Sequence, residues 1–248
     1  EKKLIQSKNE ILEPLRIVRD SLNKNKGKKI GNGDLLDLIR RTRCFGINLA
    51  RIDIRQESSR HFKLVSEVIG KKFKYNLLNE DKKINLLISL IKKKNYFNNL
   101  KLKDSENKET WATFQLLSTQ PKECLGAYVI SMTACASDIL SVFFLQKEAK
   151  IKNPLRVVPL FETLEDLKNA KIIMEKLFSL KWYQKFINYK QEIMIGYSDS
   201  SKDAGKLSAS WHQYKLQEDI LTLGKKYKIN ITFFHGRGGS AGRGGGPI

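Results

Sequence analysis

The 248-residue chain carries 46 Lys plus Arg against 26 Asp plus Glu, which gives a formal net charge of +20 and a pI near 9.8. A hydrophobic content of 41% can bury a sizeable core, so wholesale disorder is excluded despite a mean hydropathy of −0.41. No uninterrupted apolar run is long enough for a bilayer, and the start (EKKLIQSKNE) lacks the features of a secretory signal, which predicts a cytoplasmic protein with no membrane partner.

In chain order, residues 1–40 read as helical, with Ile5, Ile11, Leu12, Leu15, Ile17, Val18 and Leu22 at helix-like spacing, broken by GNG at 31–33. A short helix from Asp34 to Arg43 completes a helical lead-in over 1–43. An apolar run follows at 45–54 (FGINLARIDI) and ends in Arg55-Gln56-Glu57. From Ser58 to about Ile91 the pattern is helical again, interrupted near Tyr75–Asp81; a Lys/Asn-rich surface segment occupies 92–108, and 109–119 fits another helix. After Pro121, β-branched or aromatic runs at 127–132, 155–161, 192–197 and 229–234 alternate with helical stretches at 137–149, 163–189 and 205–227. Strands alternating with helices imply parallel pairing. With the run at 45–54 there are five β–α units, which suits either a doubly wound sheet or most of a (β/α)8 barrel.

The unusual polar residues decide between these two folds. Arg55, Glu162, Asp199 with Lys202, and His235 with Arg237 all follow the C-terminal end of a predicted strand, where a barrel collects its catalytic groups. No G-x-G-x-x-G opens a helix after an early strand, as a dinucleotide-binding fold would require. The expected fold is therefore α/β, a partial (β/α)8 TIM-type barrel with additional helices and largely helical overall. The chain lacks an initiating Met and stops within a glycine run (GGSAGRGGGPI), so residues 1–248 are read as a single incomplete domain of a longer protein.

The charge itself is less informative than its size suggests. Only 11 of the 46 cations are Arg, and the lysines lie in Lys/Asn-rich patches such as SLNKNKGKK, which read as solvated surface. Cys44, Cys124 and Cys135 have neither CxxC spacing nor an even count, which predicts reduced, mostly buried thiols rather than disulfides or a zinc site.

Two carboxylates delivered by separate strands, Glu162 and Asp199, suit Mg²⁺ or Mn²⁺, hard cations that keep waters and bind substrate oxygens. Plainer roles are open to both: Glu162 as a partner in the cap of the helix starting at Thr163–Leu164, Asp199 in an Asx-turn or helix cap. In FHGRGGSAGRGGGP (234–247), glycines allow close backbone approach, Arg237 and Arg243 supply forked donors, and His235 is a candidate proton carrier or phosphate donor. Lys202 in YSDSSKDAG adds a cation, while His61 and His212 fall on predicted helices and read as structural. One metal with several cations describes a pocket for a small, multiply charged phosphate-bearing anion.

Together RCFGINLARIDIRQESSRH (43–61), ECLGAYVISMTACASDILSVFFLQKEA (123–149), RVVPLFETLEDLKNA (156–170), QEIMIGYSDSSKDAGKLSASWHQYKLQEDI (191–220) and ITFFHGRGGSAGRGGGP (231–247) closely resemble phosphoenolpyruvate carboxylase. The resemblance implies a metal-dependent lyase, a cytoplasmic homotetramer in full-length form, that joins bicarbonate to phosphoenolpyruvate to give oxaloacetate and inorganic phosphate. It proceeds through carboxyphosphate and a metal-stabilised enolate and supplies the tricarboxylic acid cycle. It further implies that Glu162 and Asp199 are metal ligands, that His235 and Arg237 hold the substrate phosphate, and that Arg55 lies in the substrate pocket. Lys202 is then associated with bicarbonate, and Arg243 corresponds to the mobile-loop arginine needed for carboxylation. The family's other catalytic histidine, in a TAHPT-like segment, has no counterpart here, so the chain by itself is expected to be inactive. The rival readings are another phosphoenolpyruvate-handling, metal-dependent barrel enzyme, and a basic RNA-binding protein using the Arg/Gly tail; the carboxylase reading expects no nucleic-acid partner.

Overall fold

The computed structural model describes residue 5 and residues 7–93 and 101–236. The chain divides into two compact units, 1–53 with 120–126, and 54–119 with 127–248. In the first, helices α1 (Lys8–Lys24), α2 (Lys28–Gly31) and α3 (Asp34–Phe45) follow one another; the helix after the GNG break is as expected, whereas the stretch before it is divided, α1 ending at Lys24 and α2 forming a separate turn that includes Gly31. Ser7 caps α1, its Oγ accepting the Asn9 N–H at 3.2 Å. Leu12 of α1 and Ile39 of α3 are buried where these helices meet. Arg19 joins α1 to the next turn by donating to the Gly31 carbonyl (3.1 Å) and Asn32 Oδ1 (2.8 Å).

The extended run expected at 45–54 lies further along: strand β1 covers Ile52–Glu57. Helix α3 persists to Phe45, Gly46 ends it at φ 63°, and Leu49 also has a positive φ of 56°, so the chain turns before it extends. A short apolar run cannot distinguish a helix end from a strand. Arg55 consequently sits within β1 rather than after it.

The second unit takes in the end of β1 and then α4 (Ser58–Phe73), α5 (Glu80–Lys92), α6 (Ser105–Thr119), β2 (Leu125–Ser131) from Ala127 onward, α7 (Ala136–Glu148), β3 (Arg156–Phe161), α8 (Leu164–Phe178), α9 (Lys181–Phe186), β4 (Lys190–Gly196), α10 (Ser198–Ala204), α11 (Lys206–Tyr227) and β5 (Asn230–Gly236). Three details differ from the sequence reading. The helix expected over 163–189 is two, because Leu180 adopts an extended backbone between α8 and α9. The stretch after β4 forms the short helix α10, and α6 begins at Ser105, inside the Lys/Asn-rich segment, where Asn107 is buried and donates to Glu67 Oε2 at 2.7 Å.

The strands lie in the order β1-β2-β3-β4-β5, and β2 through β5 pair in parallel. The register sets Val129 opposite Val158, Leu160 opposite Met194 and Met194 opposite Phe234. By the two-residue alternation of a strand, Ala127, Val129, Val158, Leu160, Met194 and Phe234 therefore share one face. Most of that row forms an apolar cluster, but Phe234 at its end is 49% exposed. Helices cover the other face: Phe114 of α6 stacks on Tyr128 at 5.3 Å, and Tyr183 of α9 donates to Gln191 at 2.7 Å. Helix α7 is buried almost throughout, as the all-round apolar sequence ILSVFFL requires. The fold is mixed α/β with a parallel five-stranded sheet and mostly helical content.

Among the described residues no helix is long and apolar enough to cross a membrane. The three cysteines are free, but they are not the buried thiols expected: Cys44 is exposed and Cys124 and Cys135 are half-buried.

Candidate active site

Glu162 follows directly on β3, whose residues Val157–Phe161 are all buried, so the strand carries it to the sheet's C-terminal edge. The plainer role open to it, in the α8 cap, is filled by other residues. Thr163 Oγ1 accepts the Asp166 N–H at 3.1 Å, and Asp166 Oδ2 accepts the N–H groups of Thr163 (3.0 Å) and Glu162 (3.3 Å). The Glu162 side chain is thereby released, although it is only 7% exposed. Its Oε2 accepts from Arg55 Nη2 at 2.9 Å, and its Oε1 from the Met132 N–H at 3.3 Å. Burial raises its carboxyl above the ordinary range; Arg55 and the Met132 N–H pull the other way, and the Asp199 charge adds to the rise. Two carboxylates thus feel one another at the end of the sheet.

Gly196, the last residue of β4, makes this possible. A Cβ there would lie 2.5 Å from Glu162 Cβ and 2.9 Å from its Cα. Asp199 comes three residues after the strand, in the first turn of α10, and Lys202 Nζ lies 3.4 Å from its Oδ1. Asp199 makes no cap for that helix, whose N-cap is Tyr197. Helix α10 is fixed from both sides: Asp203 Oδ2 accepts the Leu164 N–H at 3.0 Å, and Gln213 Nε2 donates to the Gly196 carbonyl (3.1 Å) and Ser200 Oγ (2.9 Å). Gly196 and Gln213 carry no ionisable group and the Asp203 carboxylate is engaged at the start of α8, so none of the three stood out in the sequence as a site residue.

At the end of β5, His235 pairs across from Ile195, and its Nδ1 lies 2.8 Å from the Tyr197 hydroxyl. The structure thus brings Arg55, Glu162 and Asp199 together, sets Lys202 on Asp199, and joins His235 to Tyr197 on the neighbouring strand's exit. Arg237 and Arg243 lie outside the described residues. His61 and His212 are structural, as expected: His61 is fully buried with Nε2 2.8 Å from the Tyr128 hydroxyl, and His212 Nδ1 lies 2.8 Å from the Ser208 carbonyl.

The donor set is oxygen only, which fits Mg²⁺ or Mn²⁺. Among the described residues no group of three or more His, Cys, Asp or Glu could hold a metal, so Glu162 and Asp199 would leave most coordination positions to water and substrate. A cavity of about 420 Å³ beside this edge is lined by Thr163, Glu165, Asp166 and Asp203, an acidic wall unsuited to a phosphate. A larger one of about 530 Å³ opens at the opposite ends of the strands, by Arg156, Lys190 and Asn230.

A family model described as phosphoenolpyruvate carboxylase matches residues 1–248. The chain belongs to the phosphoenolpyruvate carboxylase family. It is 46% identical over 257 residues to phosphoenolpyruvate carboxylase of Acinetobacter baylyi, covering 98% of this chain and 28% of that protein. It is 46% identical over 243 residues to phosphoenolpyruvate carboxylase 3 of Arabidopsis thaliana and 45% over 244 residues to phosphoenolpyruvate carboxylase 1 of Sorghum bicolor, in each case 96% of this chain and 25% of the relative. The chain thus spans about a quarter of the length of these family members.

Proposed function

We propose that the chain supplies a section of the active site of an enzyme that carboxylates phosphoenolpyruvate with bicarbonate, giving oxaloacetate and inorganic phosphate. The observation that carries the reading is the setting of Glu162, a nearly buried carboxylate with no part in the helix cap, paired with Arg55 and within the field of Asp199. Membership of the family supports it over another phosphoenolpyruvate-handling barrel or an RNA-binding protein.

In this reading Glu162 and Asp199 hold Mg²⁺ or Mn²⁺, which when bound supplies positive charge beside the substrate oxygens. His235 and Arg237 receive the substrate phosphate, Arg55 the rest of phosphoenolpyruvate, and Lys202 bicarbonate. Their combined charge offsets the repulsion between two anions that must meet. A bicarbonate oxygen attacks phosphorus as the bond from phosphorus to the enol oxygen breaks, yielding carboxyphosphate and the enolate of pyruvate. Carboxyphosphate then releases CO₂ and phosphate, and carbon 3 of the enolate attacks the CO₂. Water would protonate the enolate to pyruvate, so the site must exclude it, the role carried over to Arg243 and its glycine-rich surroundings.

The same reading places the strands in a (β/α)8 barrel, with 1–43 as lead-in and 92–108 as a surface segment of a single domain that is incomplete in these residues. Two features support closure: apolar side chains cluster on one sheet face while helices cover the other, and Phe234 continues the apolar row into solvent. Cytoplasmic location and a homotetramer of full-length chains follow from the family resemblance.

The test uses a polypeptide of the relatives' length containing these residues. Asp199→Asn is expected to raise the Mg²⁺ concentration for half-maximal, bicarbonate-dependent oxaloacetate formation at least ~10-fold, the loss of one charged ligand. An unchanged requirement removes Asp199 from the metal site, and nucleotide-dependent pyruvate in place of oxaloacetate removes the reaction.

A further inference from the structure

We infer that Tyr197 is a positioning residue for His235: its hydroxyl donates to Nδ1 and holds the ring as the tautomer with hydrogen on Nε2. The functional meaning and the direction of this hydrogen bond rest on the proposed role of His235 as a phosphate donor; the contact itself rests on geometry. Strands β4 and β5 are in register from Lys190 with Asn230 to Gly196 with Gly236, which sets Tyr197, one residue past β4, beside His235 near the end of β5. The hydroxyl lies 2.8 Å from Nδ1, with ring centroids 5.9 Å apart and planes inclined at 55°. The tyrosine backbone is anchored, its carbonyl accepting from Ser201 Oγ at 2.8 Å and from the Ser201 N–H at 3.3 Å, and the Gly196 carbonyl accepts from Gln213. The phenol therefore approaches the imidazole from a fixed point.

The chemistry gives the contact a direction. A neutral imidazole has one N–H, and a phenol can donate to the nitrogen that lacks it. With Nδ1 occupied by Tyr197, Nε2 is the nitrogen His235 can offer to a ligand, and His235 is exposed. A phosphate presents acceptors only, so it needs Nε2–H; the reverse tautomer would meet it with a lone pair. Donation from Tyr197 selects the useful form in advance, as a hydrogen bond to one ring nitrogen ordinarily sets the state of the other.

The experiment is long-range ¹H–¹⁵N correlation on the chain labelled with ¹⁵N-histidine, at a pH where the imidazole is neutral, with His235 assigned by its disappearance in His235→Gln. The native ring is expected as Nε2–H and Tyr197→Phe as a mixture of tautomers. Two further replacements at 197 keep the aromatic ring and a polar atom in place if Tyr197→Phe unfolds the chain. O-methyltyrosine, an acceptor only, should turn His235 to Nδ1–H, and 4-aminophenylalanine, still a donor, should retain Nε2–H. A native Nδ1–H ring, or one tautomer across all three replacements, overturns the inference. In the relatives'-length enzyme, Tyr197→Phe should raise KM for phosphoenolpyruvate roughly fivefold, the effect of one neutral hydrogen bond. If the tautomer responds to residue 197 while His235→Gln leaves that KM unchanged, His235 leaves the proposed phosphate site and its relation to Tyr197 stands.

Discussion

Glu162 and Gly196 are a coupled pair in which one residue supplies the carboxylate and the other the space it needs. A methyl group at 196 would lie 2.5 Å from Glu162 Cβ and 2.9 Å from its Cα, and the Cα cannot swing aside as a side-chain tip can. Gly196→Ala should therefore destabilise the fold by about 1–3 kcal/mol and displace Glu162 from Arg55. Urea unfolding measures the first effect, and a wild-type midpoint would show that the strands can part at no cost. His61 offers a second test. Burial, reinforced by the Arg60 charge, lowers its pKa from 6.5 to about 3. The unfolded chain then takes up a proton below pH 6.5 that the folded chain refuses until about pH 3. Stability is fully present above 6.5 and is lost as pH falls through that window, at up to ~1.4 kcal/mol per pH unit. His61→Phe should flatten this slope in urea unfolding across that range, whatever its effect on absolute stability; an unaltered slope would mean that His61 is protonated in the folded protein. The FETLEDL spacing made Glu162 a candidate, whereas nothing in GYS marked Gly196 or Tyr197, because steric room and tautomer selection are properties of the neighbouring strand.

Among the elements, α8 and α10 govern the candidate site without carrying chemistry. The box of Thr163 and Asp166 at the start of α8 satisfies N–H groups that Glu162 would otherwise compete for. Thr163→Ala should cost ~1 kcal/mol, read as a lower urea midpoint with unchanged slope, and Thr163→Ser should restore most of it. Equal stability of all three proteins would show that the cap carries no load. Helix α10 was legible only as a turn-forming sequence, since DSSKDAG is rich in residues that cap and bend. Its helical form depends on Asp203 reaching the start of α8 and on Gln213 reaching back from α11, partners 39 and 13 to 17 residues away. The strands were legible as apolar runs, but β1 was misplaced because Gly46 and Leu49 take left-handed backbone where apolar content alone suggested extension.

For the molecule as a whole, the charge of +20 separates into two populations. Several lysines pair with surface acids, as Lys226 with Glu175 at 2.7 Å and Lys171 with Asp219 at 3.1 Å, contacts exposed enough to contribute little. The cations assigned to the proposed site are few, and of these Arg55 lies within β1 and Lys202 in α10. The chain covers 28% of the length of one matched carboxylase, so the 248 residues by themselves are expected to form no oxaloacetate, while the same residues in a polypeptide of the relatives' length do so. A coupled assay on both proteins checks this, and turnover by the chain alone would overturn the expectation.

The family and the alternating β–α order were fixed by sequence, because local apolar periodicity and short motifs survive in a linear reading. The same is true of the candidate residues that could be named: Arg55, Glu162, Asp199, Lys202 and His235. Tertiary structure decided how they are used. Only with β3 and β4 side by side does Gly196 become a requirement for Glu162, and only the parallel register of β4 and β5 sets Tyr197 against His235. These relations join residues 34 to 38 positions apart, and a contact at that separation is set by strand pairing, on which local spacing carries no information.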